Sequence, residues 1–251
     1  MLFVATASAS AATIVVQIDW SRGGGTGAGS DVWLKQDGTD TDVYFAGVIQ
    51  IDVMDAGVSV TRDALCVDLF TDIYIGSTYD TYAYNPDEIP GKNLPRVAWL
   101  VDNALPVNAA QQAASQLASN DWVTTPIQGI GLQMAVWDIV HDNGDGLFAG
   151  RVQASANGDV TDHTSDPTGA TWTYYDWERF YLTSSLGQSS NSAYVYDNYT
   201  SDGTQMQMLI SPRYMDGGLV PNPEPGTLLL VGLSLIAVGY YSRKKTMGRS
   251  R

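Results

Sequence analysis

The 251 residues carry 27 acidic and 13 basic side chains, and five of the basic ones lie at positions 243–251, so residues 1–242 hold eight basic side chains against 27 acidic ones. A surface this acidic repels nucleic acids and anionic lipids, and we therefore exclude polyanion binding. Charged residues make up only 16% of the chain, whereas Tyr, Trp, Thr, Gly and Ser are abundant, which favours an exported β-rich protein over a disordered one.

The first twelve residues have the composition of the end of a secretory signal peptide. An apolar stretch at residues 2–5 precedes small residues in which Ala9-Ser10-Ala11 fits an A-x-A-like cleavage site. No basic residue precedes the apolar stretch, and that stretch is short. We predict a signal remnant at residues 1–12, and an ordinary mobile N-terminus is the alternative.

The next two hundred residues alternate between strand and helix patterns. Strand composition and alternation occur at residues 12–20, 43–53, 65–70, 72–84 (as a hairpin), 171–175, 193–196 and 206–210. Helical patterns, the second capped by Asn108 and the third beginning at Thr125-Pro126, occur at residues 96–103, 109–119 and 126–141. Strands, then helices, then strands predict an α+β fold, a β-rich sandwich or barrel with a helical insert, spanning residues 13–215.

An apolar segment follows this domain. Pro223-Glu224-Pro225 lies in a linker at residues 216–226 and precedes an uncharged run at residues 228–241. Such a run is expected to be helical in lipid, because a helix satisfies its own backbone polar groups. We predict one C-terminal transmembrane helix at residues 227–242, although it is shorter than the roughly 20 residues usual for a span.

A basic cluster ends the chain. Arg243, Lys244 and Lys245 begin a tail at residues 243–251 that the positive-inside rule keeps in the cytoplasm, so the preceding residues lie outside it. Together with the Pro-Glu-Pro motif and the short apolar run, this cluster resembles the PEP-CTERM sorting signal of bacteria. That resemblance implies recognition by an exosortase, a membrane transpeptidase-like cysteine enzyme, followed by transfer to the cell surface or extracellular matrix. Its residues would be substrate and not catalyst; a plain single-pass anchor is the alternative.

Cys66 is the single cysteine, so the chain cannot form an internal disulfide. An unpaired cysteine in an exported protein has four explanations. It pairs with another molecule, serves as a reactive thiol, lies buried and inert, or joins a different covalent bond.

Three local patterns around this cysteine occur in a fixed order. Cys66 lies in Leu65-Cys66-Val67-Asp68, a helix contains Ala98-Trp99-Leu100, and Gln133 begins Gln133-Met134-Ala135-Val136-Trp137. In this order they resemble the thioester (TQXA) domains of bacterial surface adhesins, over residues 40–145. The resemblance implies an internal thioester between the Cys66 sulfur and the Gln133 acyl carbon, formed with loss of ammonia and then captured by an amine or hydroxyl of a target.

Two features depart from that family. Leu132 stands where the family motif has Thr, and the interval from Cys66 to Gln133 is short. The alternative is a shared fold in which Cys66 is an inert buried thiol and Gln133 a surface amide.

Other candidate sites are weaker. Residues 142–146 (DNGDG) fail the calcium-loop pattern, because Val152 occupies the position that needs Glu, and they indicate a turn that ends a helix. His141 and His163 lack metal-ligand spacing, and no Gly-x-Ser-x-Gly elbow accompanies them. The later aromatic residues are expected to be core, with sugar stacking as the alternative; they are Trp172, Tyr174, Tyr175, Trp177, Tyr194, Tyr196 and Tyr199.

We therefore expect a non-enzymatic, exported surface or matrix protein that needs no metal or cofactor. Its predicted partners are an exosortase, the membrane through the C-terminal helix, and a covalent surface target or exopolysaccharide. A structural or carbohydrate-binding matrix protein is the first alternative, and a secreted hydrolase is the second.

Overall fold

The computed structural model describes residues 10–17, 29–55, 58–74, 76–105, 109–155, 164–165 and 171–213. The strands are β1 (Ser10–Gln17), β2 (Gly29–Gln36), β3 (Thr39–Gly47), β4 (Ile49–Asp55), β5 (Val58–Cys66), β6 (Thr78–Tyr84), β7 (Val152–Ala154), β8 (Thr164–Ser165), β9 (Thr171–Trp172), β10 (Tyr194–Tyr199) and β11 (Leu209–Ser211). The helices are α1 (Leu94–Ala104), α2 (Ala109–Ala114), α3 (Pro126–Asp142) and α4 (Tyr174–Ser184). This mixture confirms the α+β prediction.

Six of these strands close into a barrel in the order β1-β4-β5-β11-β10-β6. The pairs β1–β4, β4–β5, β5–β11, β11–β10 and β10–β6 are antiparallel, and antiparallel strands can be joined by short turns or by long connections. The largest excursion separates β6 from β10 and contains all four helices. A β-rich barrel with a helical insert was one of the two predicted architectures.

A second sheet, in the order β3-β2-β7, lies outside the barrel order. The sequence pattern predicted one strand at residues 43–53, which is wrong because the chain changes sheets at Val48. Gly47, whose φ is 147°, ends β3 in a conformation that side-chain-bearing residues rarely adopt. The residues on both sides of Gly47 favour strands equally, so in the sequence only this glycine indicates that one strand ends and another begins.

Helix α3 lies at the centre of the domain. It packs against α1 and α4, and against strands β2, β3, β5 and β7. Every residue from Ile127 to Val140 is buried, which is the pattern of a helix surrounded by protein on all sides. Thr125 and Gln128 form a reciprocal capping box at its start, and Pro126 occupies its first turn, so the predicted start is confirmed.

Helix α4 replaces part of a predicted strand. Residues 171–175 were predicted as a strand, but only Thr171–Trp172 is one, and Thr173 caps a helix. The Asp176 carboxylate accepts hydrogen bonds from the Thr173 N–H and hydroxyl, at 2.9 and 2.8 Å, and this stabilises the helix start more than the β propensity of the flanking Trp and Tyr favours a strand.

Three other predicted elements have different limits. The strand predicted at 65–70 ends at Cys66, the hairpin predicted at 72–84 is the single strand β6, which pairs with β10, and the helix predicted at 109–119 ends at Ala114. Asn108, the predicted cap, lies outside the described residues. In each case tertiary pairing, which sequence periodicity does not encode, sets the boundary.

The predicted N-terminal signal remnant, apart from its last three residues, and the predicted C-terminal segments lie outside the described residues. Within the part of the chain that the structure describes, no helix combines the length and apolar character needed to cross a membrane.

Candidate functional site

Cys66 is the last residue of β5, at the seam where the barrel closes. Its partner in the register is Leu209 of β11, and Val67 continues the pairing by donating its N–H to the Met208 carbonyl at 2.8 Å. Leu65, Cys66 and Val67 are all buried, so burial here does not follow the alternation of faces that the sequence predicts for this strand. The strand ends between the barrel interior and the helical layer, and both of its faces are covered.

Gln133 lies 67 residues further on, on α3, and its side chain reaches this strand end. The Cys66 N–H donates to Oε1 of Gln133 at 2.9 Å, and Nε2 of Gln133 donates to the Cys66 carbonyl at 2.7 Å. The side-chain amide therefore pairs with the Cys66 backbone as a neighbouring strand would. The two residues that the sequence singled out lie side by side, and Gln133, which the alternative placed at the surface, is fully buried.

Burial controls the chemistry of the thiol. Cys66 is only 5% exposed, and desolvation raises the pKa of its thiol to about 12. At neutral pH the sulfur is therefore almost entirely protonated and is shielded from reagents in solvent. Hydrogen bonds hold the Gln133 side-chain amide, and with it the carbonyl carbon, against the Cys66 backbone.

The segment after Cys66 is fastened from two sides. The Leu69 N–H donates to Nε2 of His141 at 3.3 Å, and the Phe70 ring meets the His141 ring edge-on, with centroids 4.8 Å apart. The Asp68 carboxylate pairs with Lys92, and its backbone carbonyl accepts a hydrogen bond from the Gln207 side chain. Helix α3 thus holds Cys66 through Gln133 and holds the next residues through His141.

The C-terminal segment matches a known family. Residues 223–245 match the PEP-CTERM protein-sorting motif. The match includes Pro223, Glu224 and Pro225 and the basic residues Arg243, Lys244 and Lys245. The PEP-CTERM motif indicates export, membrane-linked sorting and processing by an exosortase.

No curated protein and no solved structure matches the chain. The resemblance of residues 40–145 to thioester domains therefore has no support from comparison with known proteins. Within those residues, Trp99 and Trp137 of the resembling patterns are buried, and Leu132, which departs from the pattern, is fully buried as well.

Two weaker candidates from the sequence were the turn after α3 and the pair of histidines. Helix α3 ends at Asp142, and Asn143 caps it in the left-handed conformation with φ of 60°, which confirms the predicted helix-ending turn. His141 accepts the Leu69 N–H and is half-buried, whereas His163 lies outside the described residues.

Most of the aromatic candidates belong to the protein interior. Tyr174, Trp177, Tyr194 and Tyr196 are buried, while the other three are only partly exposed. Trp177 contacts Trp172 edge-on at 4.6 Å and lies against α3 near Gly131. Core packing, which was the expected role, accounts for these side chains.

Sequence reasoning missed Asp138. It lies inside α3, where the pattern shows only helix, yet it is fully buried and desolvation raises its pKa to about 7. The signal was a carboxylate at i and another at i+4, Asp138 and Asp142, immediately before an acidic turn.

Proposed function

We propose that this exported, exosortase-processed protein attaches covalently to targets through an internal thioester between Cys66 and Gln133. In the first step the Cys66 sulfur attacks the side-chain carbonyl carbon of Gln133, a carbon–sulfur bond forms, and the carbon–nitrogen bond breaks. The thiol proton leaves with the amide nitrogen, so the products are the thioester and one ammonia. This function is binding and not catalytic turnover.

The observation that carries the proposal is the double hydrogen bond between the Gln133 amide and the Cys66 backbone. Oε1 becomes the oxyanion during attack, and the Cys66 N–H, 2.9 Å away, already points at it. A preorganised backbone donor at a developing oxyanion is a general means of lowering the barrier to acyl transfer. Nε2, the departing nitrogen, is held by the Cys66 carbonyl at 2.7 Å.

The high thiol pKa opposes this step, and its size decides whether proximity compensates. With a pKa of about 12, roughly one Cys66 in 10⁵ is thiolate at pH 7, about a thousandfold less than for an exposed cysteine. Holding two groups in contact supplies an effective molarity of about 10⁵–10⁸ M. A thiolate of high pKa is also the stronger nucleophile. An effective molarity of this size supports bond formation within the folded chain despite the small thiolate fraction.

Burial would then preserve the product. Gln133 has no exposed surface and Cys66 very little, so bulk water is kept from the thioester. An amine that reaches the acyl carbon forms an amide with Gln133 and releases the Cys66 thiol. A hydroxyl forms an ester in the same way, so protein and carbohydrate surfaces are both eligible targets.

The test is an intact mass of the full-length chain, purified in a non-ionic detergent and kept free of amines. We expect a mass lower than that of the encoded chain by one ammonia, with Cys66 unreactive toward iodoacetamide in denaturant. Methylamine should add to Gln133 and free the thiol in equal amounts.

Two variants control this test. Cys66→Ala and Gln133→Glu should each keep the encoded mass. Exposed Gln188 serves as the matched control, since Gln188→Glu should leave the ammonia loss unchanged. A wild-type chain of full encoded mass with a thiol that alkylates in denaturant would mean that the protein is a passive surface or matrix component.

A further inference from the structure

The C-terminal end of α3 carries three carboxylates that converge. Asp138 and Asp142 are one helical turn apart, and Asp145 follows in the turn that ends the helix. Each offers one carboxylate oxygen, and these three oxygens all lie within 4.8 Å of one another. No close ion pair among the described residues involves any of the three.

Asp138 is the member that separates this cluster from ordinary surface acidity. Its side chain is completely buried, and Oδ2 accepts the Gly146 N–H at 3.0 Å. Oδ1 is equally buried and has no hydrogen-bond partner. A buried carboxylate oxygen with no partner carries a large desolvation cost unless a proton or a cation meets it.

A second buried carboxylate nearby also has an oxygen without a hydrogen-bond partner. Glu178 on α4 is 2% exposed, its Oε2 has no partner, and the charge of Asp138 adds to the desolvation that raises the pKa of Glu178. Arg96 of α1 interacts electrostatically with Asp138, but its guanidinium donates to the carbonyls of Asn143 and Leu182, both at 2.8 Å. Positive charge is thus present nearby but is bonded to neutral carbonyls.

The turn is built to hold Asp142 in place. Its Oδ2 accepts the N–H groups of Arg151 and Val152, at 2.9 and 2.7 Å. Gly150, with φ of 72°, lies so close that a Cβ there would fall 2.4 Å from the Asp142 Cγ. The exposed Asp145, together with Arg96 and Arg179, lines an open cleft of about 510 Å³, so solvent reaches this member of the cluster.

We infer that Asp138, Asp142 and Asp145 form a binding site for a calcium ion. Calcium binds oxygen at about 2.3–2.6 Å, so two of its ligands lie up to about 5 Å apart, whereas magnesium at about 2.1 Å limits them to about 4.2 Å. The three carboxylate oxygens, all within 4.8 Å of one another, lie within the span that calcium can bridge. Calcium also accepts six to eight ligands in irregular geometry, which suits three carboxylates completed by water and backbone carbonyls.

This site does not depend on the thioester. Calcium would join the end of α3 to the loop that leads into β7 and would neutralise the buried Asp138. Outside the cell a weak site suffices, because extracellular modules bind calcium with dissociation constants of about 10⁻⁴–10⁻³ M.

Thermal unfolding of the full-length chain in a non-ionic detergent, after dialysis against EDTA, tests the inference. At about 5 mM CaCl₂ we expect Tm to rise by about 2–6 °C above a sodium chloride control of equal ionic strength, with a smaller rise in MgCl₂. Isothermal titration should give one calcium ion per chain.

Asp145→Asn decides the location, because this exposed residue can change without disturbing the core. We expect it to weaken calcium binding at least about tenfold, and Asp138→Asn to abolish it. Asp87→Asn, at an exposed position in the short 3-10 helix Pro86–Glu88, should bind calcium as the wild type does. A calcium effect no larger than that of sodium, an equal magnesium effect, or full affinity in Asp145→Asn would each overturn the assignment.

Discussion

Gln133 and Asp138 lie five residues apart on the same helix, and neither has any exposed surface. Both polar atoms of Gln133 bond to the Cys66 backbone, whereas Asp138 accepts one N–H and leaves Oδ1 without a partner. A side-chain amide has a donor and an acceptor that match a strand end. A carboxylate has acceptors only, so the chain that buries it must supply donors, a proton or a cation. The hydrogen bonds of Gln133 are complete within the protein, whereas Asp138 needs a further donor, a proton or a cation.

The largest effect is expected from removing the two hydrogen bonds between Gln133 and the Cys66 backbone. In a Cys66→Ala background, which excludes any covalent bond, Gln133→Leu leaves two buried backbone groups of residue 66 unsatisfied. We expect the free energy of unfolding to fall by about 3–5 kcal/mol. Urea denaturation followed by tryptophan fluorescence measures the difference.

Gln188→Leu, at an exposed position, is the control and should change little. A loss below about 1 kcal/mol for Gln133→Leu would mean that the Cys66 backbone finds other partners, and the contrast between the two parts of α3 would disappear.

Gly131, where α3 packs closely against α4, is expected to give the next largest effect. A Cβ there would lie 2.5 Å from the Trp177 Cβ and 2.9 Å from the Tyr174 carbonyl oxygen. Alanine normally stabilises a helix by about 1 kcal/mol relative to glycine, but here α4 has to move away. We expect Gly131→Ala to destabilise by about 1–3 kcal/mol in thermal or urea unfolding. A gain in stability would show that α4 is not held tightly against α3.

Asp102 on α1 tests how a partly buried carboxylate behaves when it has a hydrogen-bond donor. Desolvation raises its pKa to about 6, although the Ser190 hydroxyl donates to Oδ2 at 2.6 Å. The folded-state pKa of Asp102 lies above the unfolded value of 3.8. The contribution of this residue to stability is therefore greatest below pH 4 and is lost as the pH rises through about 6.

Asp102→Asn should remove this dependence and stabilise the protein at pH 7 by about 1–2 kcal/mol. Urea titrations at a series of pH values measure it. An unchanged slope between pH 4 and 6 in the variant would assign the dependence to other carboxylates.

The smallest effect is expected at the exposed pair between Arg151 and Asp37, whose atoms lie 2.7 Å apart. Solvent screens such pairs, and asparagine tolerates the left-handed backbone of Asp37, where φ is 48°. Asp37→Asn should change Tm by no more than about 2 °C, and by less in high salt. A larger change would mean that this pair supports the loop beside Asp142.

Local chemistry explains which features the sequence predicted. The capped start of α3 at Thr125 and the turn at Asn143 depend on neighbours in sequence, and both were predicted correctly. The proximity of Cys66 and Gln133 came from a family resemblance and not from periodicity. Nothing in strand propensity shows that β3 ends at Gly47 and that β4 joins another sheet, because the partner strands are distant in sequence.

Asp138 was missed for a different reason. A single aspartate in an apolar helix is usually solvent-facing, and only the crowding of α3 on all sides buries it. Glu178 became its neighbour through α4, a helix that the sequence pattern had partly assigned to a strand.

The position of β11 in the barrel has a consequence for the order in which the chain folds. Cys66 and Leu65 pair with Leu209 and Ile210, nearly 150 residues later, so the seam waits for almost the whole domain to be exported. Contacts between residues so distant in sequence form late and slowly. The sorting motif begins at Pro223, shortly after this strand. The pairing that covers Cys66 can therefore form only after the chain has emerged to a point shortly before the sorting motif.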